Sequence, residues 1–317
     1  MRSSFARVLT LLVTAVAAAY VMSSPASARP TSARGSAKSE VRLATIAYRI
    51  AAANASTCRT REVITGLVLH DLSRYDRSVR DAVSRAFSVG TGFGVIGVIP
   101  GSVAADAGLQ IDDEILAVGL FTVEDTAARD RPRSFRRMEQ FNATLQAAGK
   151  DETTELLVRR RGNLLHVLLR ARYGCGGNLT LSTSSIRNAW ADGKHIVVTT
   201  GMADLARSDD EIAFVIAHEM AHNILEHSRE AGGKRGSSSA RVRRGEIEAD
   251  SLAVRLMSNG GYQPAGGISF LQNARRRLWW SIPLDRPGFG RRIEIVTAAA
   301  LALITAPTTK VTARSRR

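Results

Sequence analysis

The feature that most constrains this chain is a short run in its second half, His218-Glu219-Met220-Ala221-His222. It follows a strong helix-start signal. Ser208-Asp209-Asp210-Glu211 has the form of a capping box, a serine N-cap with a glutamate three residues on. Ile212, Phe214, Val215, Ile216, Ala217 and Ala221 then recur at helical density. On such a helix His218 and His222 lie one turn apart on one face, so both imidazoles can reach a single ion. Glu219, one residue on, can lean over that ion and take a proton from water beside it. A zinc ion that does chemistry needs three protein ligands and one open position, so the fold must deliver a third ligand from elsewhere.

The candidates for that ligand lie in Glu246-Ile247-Glu248-Ala249-Asp250, which opens a second helical run through Met257. Glu246 and Asp250 are four apart and share a face. Glu248 competes with Glu246 for the ligand position, and an acidic cluster also suits a solvated helix start, where carboxylates meet the positive end of the dipole. Asp250 fits a supporting position, accepting a hydrogen bond from a ligand imidazole. His227, five residues past His222, is rotated off the ligand face and reads as structural.

The start of the chain carries a different signal. Arg2 and Arg7 precede an apolar stretch from Val8 to Met22, and Ala26-Ser27-Ala28 fits a small-residue cleavage site. This three-part pattern is that of a secretory signal peptide, with an uncleaved anchor as the competing reading. The expected location is periplasmic or secreted. Cys58 and Cys175 are the two cysteines, and an exported chain with an even count permits a disulfide between them. The net charge of +15 over 317 residues raises nucleic acid and anionic membranes as partners. The arginines come in short runs, and aromatics make up only 5% of the chain, which does not suit a stacking platform for single strands. No nucleic-acid partner is expected, while weak attraction to anionic membrane surfaces stays open.

Composition changes at Gly90. Gly92-Phe93-Gly94-Val95 leads a β-rich run, then Pro100-Gly101-Ser102-Val103-Ala104-Ala105-Asp106-Ala107-Gly108-Leu109, then Asp113-Glu114-Ile115-Leu116-Ala117-Val118. A helix is expected over 134–147 and two strands near 155–160 and 164–170, joined through Arg161-Gly162-Asn163. This stretch resembles a PDZ domain of the kind found in bacterial exported proteases, although Asp112 stands where that family has glycine. The resemblance implies strand addition of an extended peptide, with the amides of Gly92, Phe93, Gly94 and Val95 capturing a C-terminal carboxylate. A PDZ domain used only as a spacer is the alternative.

The second half resembles the gluzincin metallopeptidases of the HtpX, BepA and CAAX-prenyl-protease group. The matching residues are Asn188-Ala189-Trp190-Ala191-Asp192-Gly193, Ile196 to Gly201, Asp210 to Asn223, Glu246 to Asp250, and Gly261-Tyr262-Gln263-Pro264. The resemblance implies one zinc ion held by His218, His222 and Glu246, with Glu219 as general base and Asp250 orienting a ligand. It also implies polypeptide substrates and, for periplasmic members, envelope protein quality control. One departure is Arg286, which stands where the group has a histidine before proline. Arg286 either stabilises an oxyanion or pairs with an acidic group.

The expected architecture is therefore α+β: a mainly helical zincin-type metallopeptidase domain with a small sheet, preceded by a β-rich PDZ domain. The expected divisions are a signal peptide over 1–28, an N-terminal linker and helices over 29–88, the PDZ domain over 89–172 and the metallopeptidase domain over 173–317. Substrate is expected to lie along the strand of Ile196 to Thr200. The function these features imply is zinc-dependent endopeptidase action on misfolded or unassembled envelope polypeptides. The alternative is a PDZ-based binding or chaperone-like module with a weakly active or latent metal site.

Overall fold

In a computed structural model, which describes residues 30–123, 134–149, 152–227, 239–278 and 287–305, the chain is α+β. The first part contains α1 (Pro30–Ala53), β1 (Arg61–Val63), β2 (Leu67–His70), α2 (Arg77–Phe87), β3 (Phe93–Val98), α3 (Val103–Asp106), β4 (Glu114–Val118), β5 (Phe121–Thr122), α4 (Arg136–Ala148), β6 (Thr153–Arg160) and β7 (Asn163–Arg170). There follow β8 (Tyr173–Cys175), β9 (Asn178–Ser182), β10 (Ala189–Ala191), β11 (His195–Thr199), α5 (Thr200–Leu205), α6 (Asp209–Ile224), α7 (Ser239–Asn259), α8 (Ala265–Leu278) and α9 (Phe289–Thr305). The expected signal segment, the Gly/Ser-rich run before α7, and Arg286 lie outside the described residues.

The larger sheet runs β2-β3-β4-β6-β7, with β5 paired to β4, and its neighbours along this path are all antiparallel. The period-2 alternation of strands separates its two faces. Leu69, Val95, Ile115, Leu156 and Val158 face a core closed by Phe141 and Leu145 of α4. Val68 and Ile96 face the other way, against Leu72, Val83 and Phe87 and the start of α1. The β6–β7 hairpin turns on Arg161 and Gly162, both at positive φ (49° and 86°). That is the geometry a two-residue hairpin turn demands, and Asn163 already belongs to β7.

A three-stranded sheet, β10-β11-β9, and helices α6 to α9 make the second module. Its core is built around α6, whose residues Ile212, Ala213, Ile216, Ala217 and Ala221 have no exposed surface. The sequence signal for its start is met: Ser208 accepts from the Glu211 amide at 3.2 Å. Glu211 answers by accepting from the Arg207 amide at 2.9 Å, one residue before the cap.

The region 29–88, expected as a linker and helices, does hold helices α1 and α2 but is packed into the cores rather than linking them. Leu43, Ile46 and Ile50 of α1 are at most 2% exposed and join the core of the helical module. Burial of such side chains contributes about 1.5–3 kcal/mol each, too much for a helix that merely connects. The beginning of α1 instead packs on the β-rich module, where Val41 lies over Gly97: a Cβ there would come within 2.6 Å of Val41. The sheet also takes in β2, so its module begins before residue 89. One helix thus seals both cores.

Cys58, just past α1, forms a disulfide with Cys175 on β8, and the Cα atoms are 5.4 Å apart. The bridge closes 117 residues of chain. Replacing both cysteines by serine is expected to lower unfolding stability by about 2–4 kcal/mol. Denaturant unfolding with and without reductant measures this, the reduced parent matching the variant.

Candidate functional site

The site begins with the approach of α7 to α6. Ala217 and Ala221 on α6 and Ala249 and Ala253 on α7 have no exposed surface. Residues this small let two helices pack closely, and Glu246, one turn before Asp250, is thereby carried to the histidine pair. His218 Nε2 lies 3.1 Å from His222 Nε2 and 3.4 Å from Glu246 Oε2. Glu246 Oε1 is 3.9 Å from His222 Nε2. Among the described residues these three are the one group whose ligand atoms converge, all within 4.8 Å of one another.

This donor set fits a metal ion. A tetrahedral ion bound by imidazoles at about 2.0–2.1 Å holds their nitrogens roughly 3.3 Å apart, close to the 3.1 Å between the two Nε2 atoms. Charge points the same way. Glu219, Glu246 and Asp250 are buried, and the Arg292 guanidinium reaches into the cluster. Carboxylates gathered beside two imidazoles in a poorly solvated place suit a divalent cation.

Asp250 is fully buried, and its Oδ1 lies 3.0 Å from His218 Nδ1. Arg292, at the start of α9, grips the same carboxylate with both arms, Nε to Oδ2 at 2.8 Å and an Nη to Oδ1 at 2.6 Å. Burial alone would raise the Asp250 pKa, but the charge and hydrogen bonds of Arg292 hold it below the ordinary value. His218 shows the opposite balance. Burial disfavours its charged form, yet hydrogen bonds that His218 donates to Asp250 and Glu246 hold its pKa up to about 9.

Glu248 does not join the ligands. It faces outward and meets His227 Nε2 at 3.3 Å, which decides the competition with Glu246. Glu219 follows His218 on α6, 9% exposed. Arg292 was not expected from the sequence, in which Arg286 stands at the position of the group's histidine. The available signal was the Arg292-Ile293 pair, the arginine-isoleucine helix start seen in the resembling group.

Two expectations about strand edges need correction. Ile196 to Thr200 cannot receive a substrate strand, because β11 is flanked by β10 on one side and β9 on the other. The open edge beside α6 belongs to β10. Asn223 of α6 fixes the turn after β10, accepting from the Gly193 amide at 2.7 Å and donating to the His195 carbonyl at 3.3 Å. His195 itself pairs with Asp192 in that turn.

Gly92, Phe93, Gly94 and Val95 likewise cannot capture a carboxylate. Their strand β3 lies between β2 and β4, and the Gly92 amide already donates to Glu114 Oε1 at 2.7 Å. Phe93 is buried against Phe141, with ring centroids 4.5 Å apart. Among the described residues the sheet ends on β2 at one edge and β7 at the other, and β2 enters from Gly66 at φ +77°. A groove separates β2 from α4, lined by Leu67, Leu69, Met138, Phe141 and Leu145. Both ends of α4 are tied down: Arg137 to Asp71 at 2.6 Å, and Gln146 to the amide and carbonyl of Val63 at 2.6 and 2.9 Å.

Replacing Asp250 by asparagine is expected to weaken metal binding about 10–100-fold while Glu246 and both histidines remain, because partners behind a ligand imidazole orient it and raise its basicity. Competition with a chromophoric chelator measures the loss.

Residues 176–240 match the model of peptidase family M48. No curated protein sequence matches the chain. Among solved structures, the crystal structure of the HtrA3 PDZ domain bound to a phage-derived ligand is similar at 18% identity. That match covers 36% of this chain and 89% of that one with a TM-score of 0.26, too low to add to the topology described above. The family match contains His218, Glu219 and His222 and stops short of Glu246, which the packing of α7 supplies. The site-bearing segment is thus similar in sequence to the M48 metallopeptidases, and its geometry is that of a two-histidine, one-glutamate metal site.

Proposed function

We propose that the protein is a zinc-dependent endopeptidase that acts on polypeptides outside the cytoplasm. The observation that carries this reading is the convergence of His218, His222 and Glu246 beside Glu219. Two imidazoles and one carboxylate are a donor set suited to zinc. Zinc bound there supplies a Lewis acid that polarises a carbonyl and lowers the pKa of water. Glu219 takes the proton from the attacking water and delivers it to the departing amine nitrogen. Asp250 and Arg292 keep the His218 ring in its binding orientation.

Substrate pairs as an extended strand along the open edge of β10, the edge next to α6. Small residues, Ala189 and Ala191, line this edge with Trp190 between them. The groove between β2 and α4 holds a second extended segment, such as a chain end, which recruits or gates substrate. The Cys58–Cys175 bridge supports an oxidising, exported location. Misfolded or unassembled envelope proteins are the substrate class that fits an edge reading backbone more than side chains.

A binding module with a silent metal site is the competing reading, favoured by a groove that is formed apart from the metal cluster. Glu219→Gln separates the two. It is expected to keep stoichiometric zinc and to cleave casein about 10²–10⁴-fold more slowly, the usual contribution of a general base. Undiminished cleavage by this variant would sink the mechanism. Met138→Arg, which intrudes on the groove, is expected to raise KM for an unfolded protein about tenfold, close to 1.4 kcal/mol, and to leave a short internal peptide unaffected. Steady-state kinetics on the two substrates test it.

A further inference from the structure

His227 lies off the ligand face of α6, yet it reaches the site from behind. The helix ends at Ile224, and Glu226 takes a left-handed backbone conformation, φ 58°. This reversal folds His227 back over the last turn. Its Nδ1 comes to 2.9 Å from His222 Nδ1, with the rings 5.0 Å apart and steeply inclined at 69°. On its far side, His227 Nε2 meets Glu248 Oε2 at 3.3 Å. Glu248 stands two residues after Glu246 on α7. One helix therefore supplies both a metal-facing carboxylate and the anchor of this chain.

The hydrogen positions follow from the geometry. A neutral His222 that offers its Nε2 lone pair to an ion must carry its proton on Nδ1. That N–H donates to His227 Nδ1, which must then be the acceptor nitrogen. The His227 proton sits on Nε2, where it donates to the Glu248 carboxylate. Every bond points outward from the site, and each imidazole has a single allowed tautomer. His218 has the equivalent support in the Asp250 carboxylate, pinned by Arg292. The two metal-facing imidazoles are thus held by different devices, one directly by a buried carboxylate and one through a second imidazole.

We propose that His227 is a positioning residue for His222, and that Glu248 sets the His227 tautomer so that His222 presents Nε2 to the metal. The inference rests on the metallopeptidase reading, and its test separates the two. Zinc dissociation constants are measured by chelator competition, and cobalt-substituted proteins are compared by their visible absorption. His227→Ala is expected to bind zinc about 10–100-fold more weakly and to shift the cobalt spectrum. Metal-free melting is expected to match the parent, which a purely structural histidine would not allow. His227→Gln, whose amide oxygen can accept from His222 and whose amide nitrogen can donate to Glu248, is expected to recover most of the affinity. Glu248→Gln is expected to weaken binding in the same direction by a smaller factor. Parent affinity and an unchanged cobalt spectrum in His227→Ala would overturn the inference. Should that variant not fold, parent-like zinc affinity in Glu248→Gln would overturn it instead. Casein cleavage by Glu219→Gln at the parent rate would remove the peptidase reading and leave this one standing, whereas a parent protein that binds no zinc removes both.

Discussion

The packing of α7 against α6 is the constraint on which the site depends. Ala217 and Ala221 on α6 and Ala249 and Ala253 on α7 are all fully buried in the core that the two helices share. The distance between the helices sets the distance from Glu246 to the histidines, and a metal site tolerates only a few tenths of an ångström. The close approach also buries Asp250 completely, so its charge must be met from within the protein. Arg292 meets it from α9, which ties a third helix to the same cluster. Packing and electrostatics therefore reinforce one another: the helices that form the core are those that carry the polar groups.

The same interdependence joins the two modules. Leu43, Ile46 and Ile50 of α1 fill the core beneath α6, while Ala37 and Val41 close the back of the larger sheet. The disulfide and the short β1–β8 pairing hold the chain where it leaves one module and re-enters the other. Helix α4 stands at this junction. It closes the groove beside β2 on one side, and Asn142 and Gln146 also face a cleft bounded by the β10–β11 turn and the end of α6. The groove and the helical module thus share a wall.

Much of the site was legible because it is local. The capping box at Ser208, the i and i+4 histidines, and Glu219 between them need only helical geometry, which the pattern of apolar residues reveals. The glycine-rich run at Gly92 to Val95 misled for the opposite reason. Its composition suits both an anion-binding loop and the closely packed start of an interior strand. The choice fell to Glu114, whose carboxylate occupies the Gly92 amide from a strand more than twenty residues away in sequence. Likewise the β-branched run at Ile196 to Thr199 is plainly a strand, but nothing within it says whether its edges are open.

The sequence by itself determined the helix that follows Ser208, the helix over 134–147, the hairpin near Arg161-Gly162, and the identity of the two histidines and their intervening glutamate, since each is written within a few consecutive residues. Only the tertiary structure decided between Glu246 and Glu248, brought Arg292 and His227 behind the two imidazoles, and put β2 and β10 at sheet edges while β3 and β11 became interior strands. Those outcomes depend on how elements distant in sequence pack, and a helix rotated by a fraction of a turn or a strand added at an edge would change them without altering any local pattern. The metal-type site is therefore local in its motif and global in its completion.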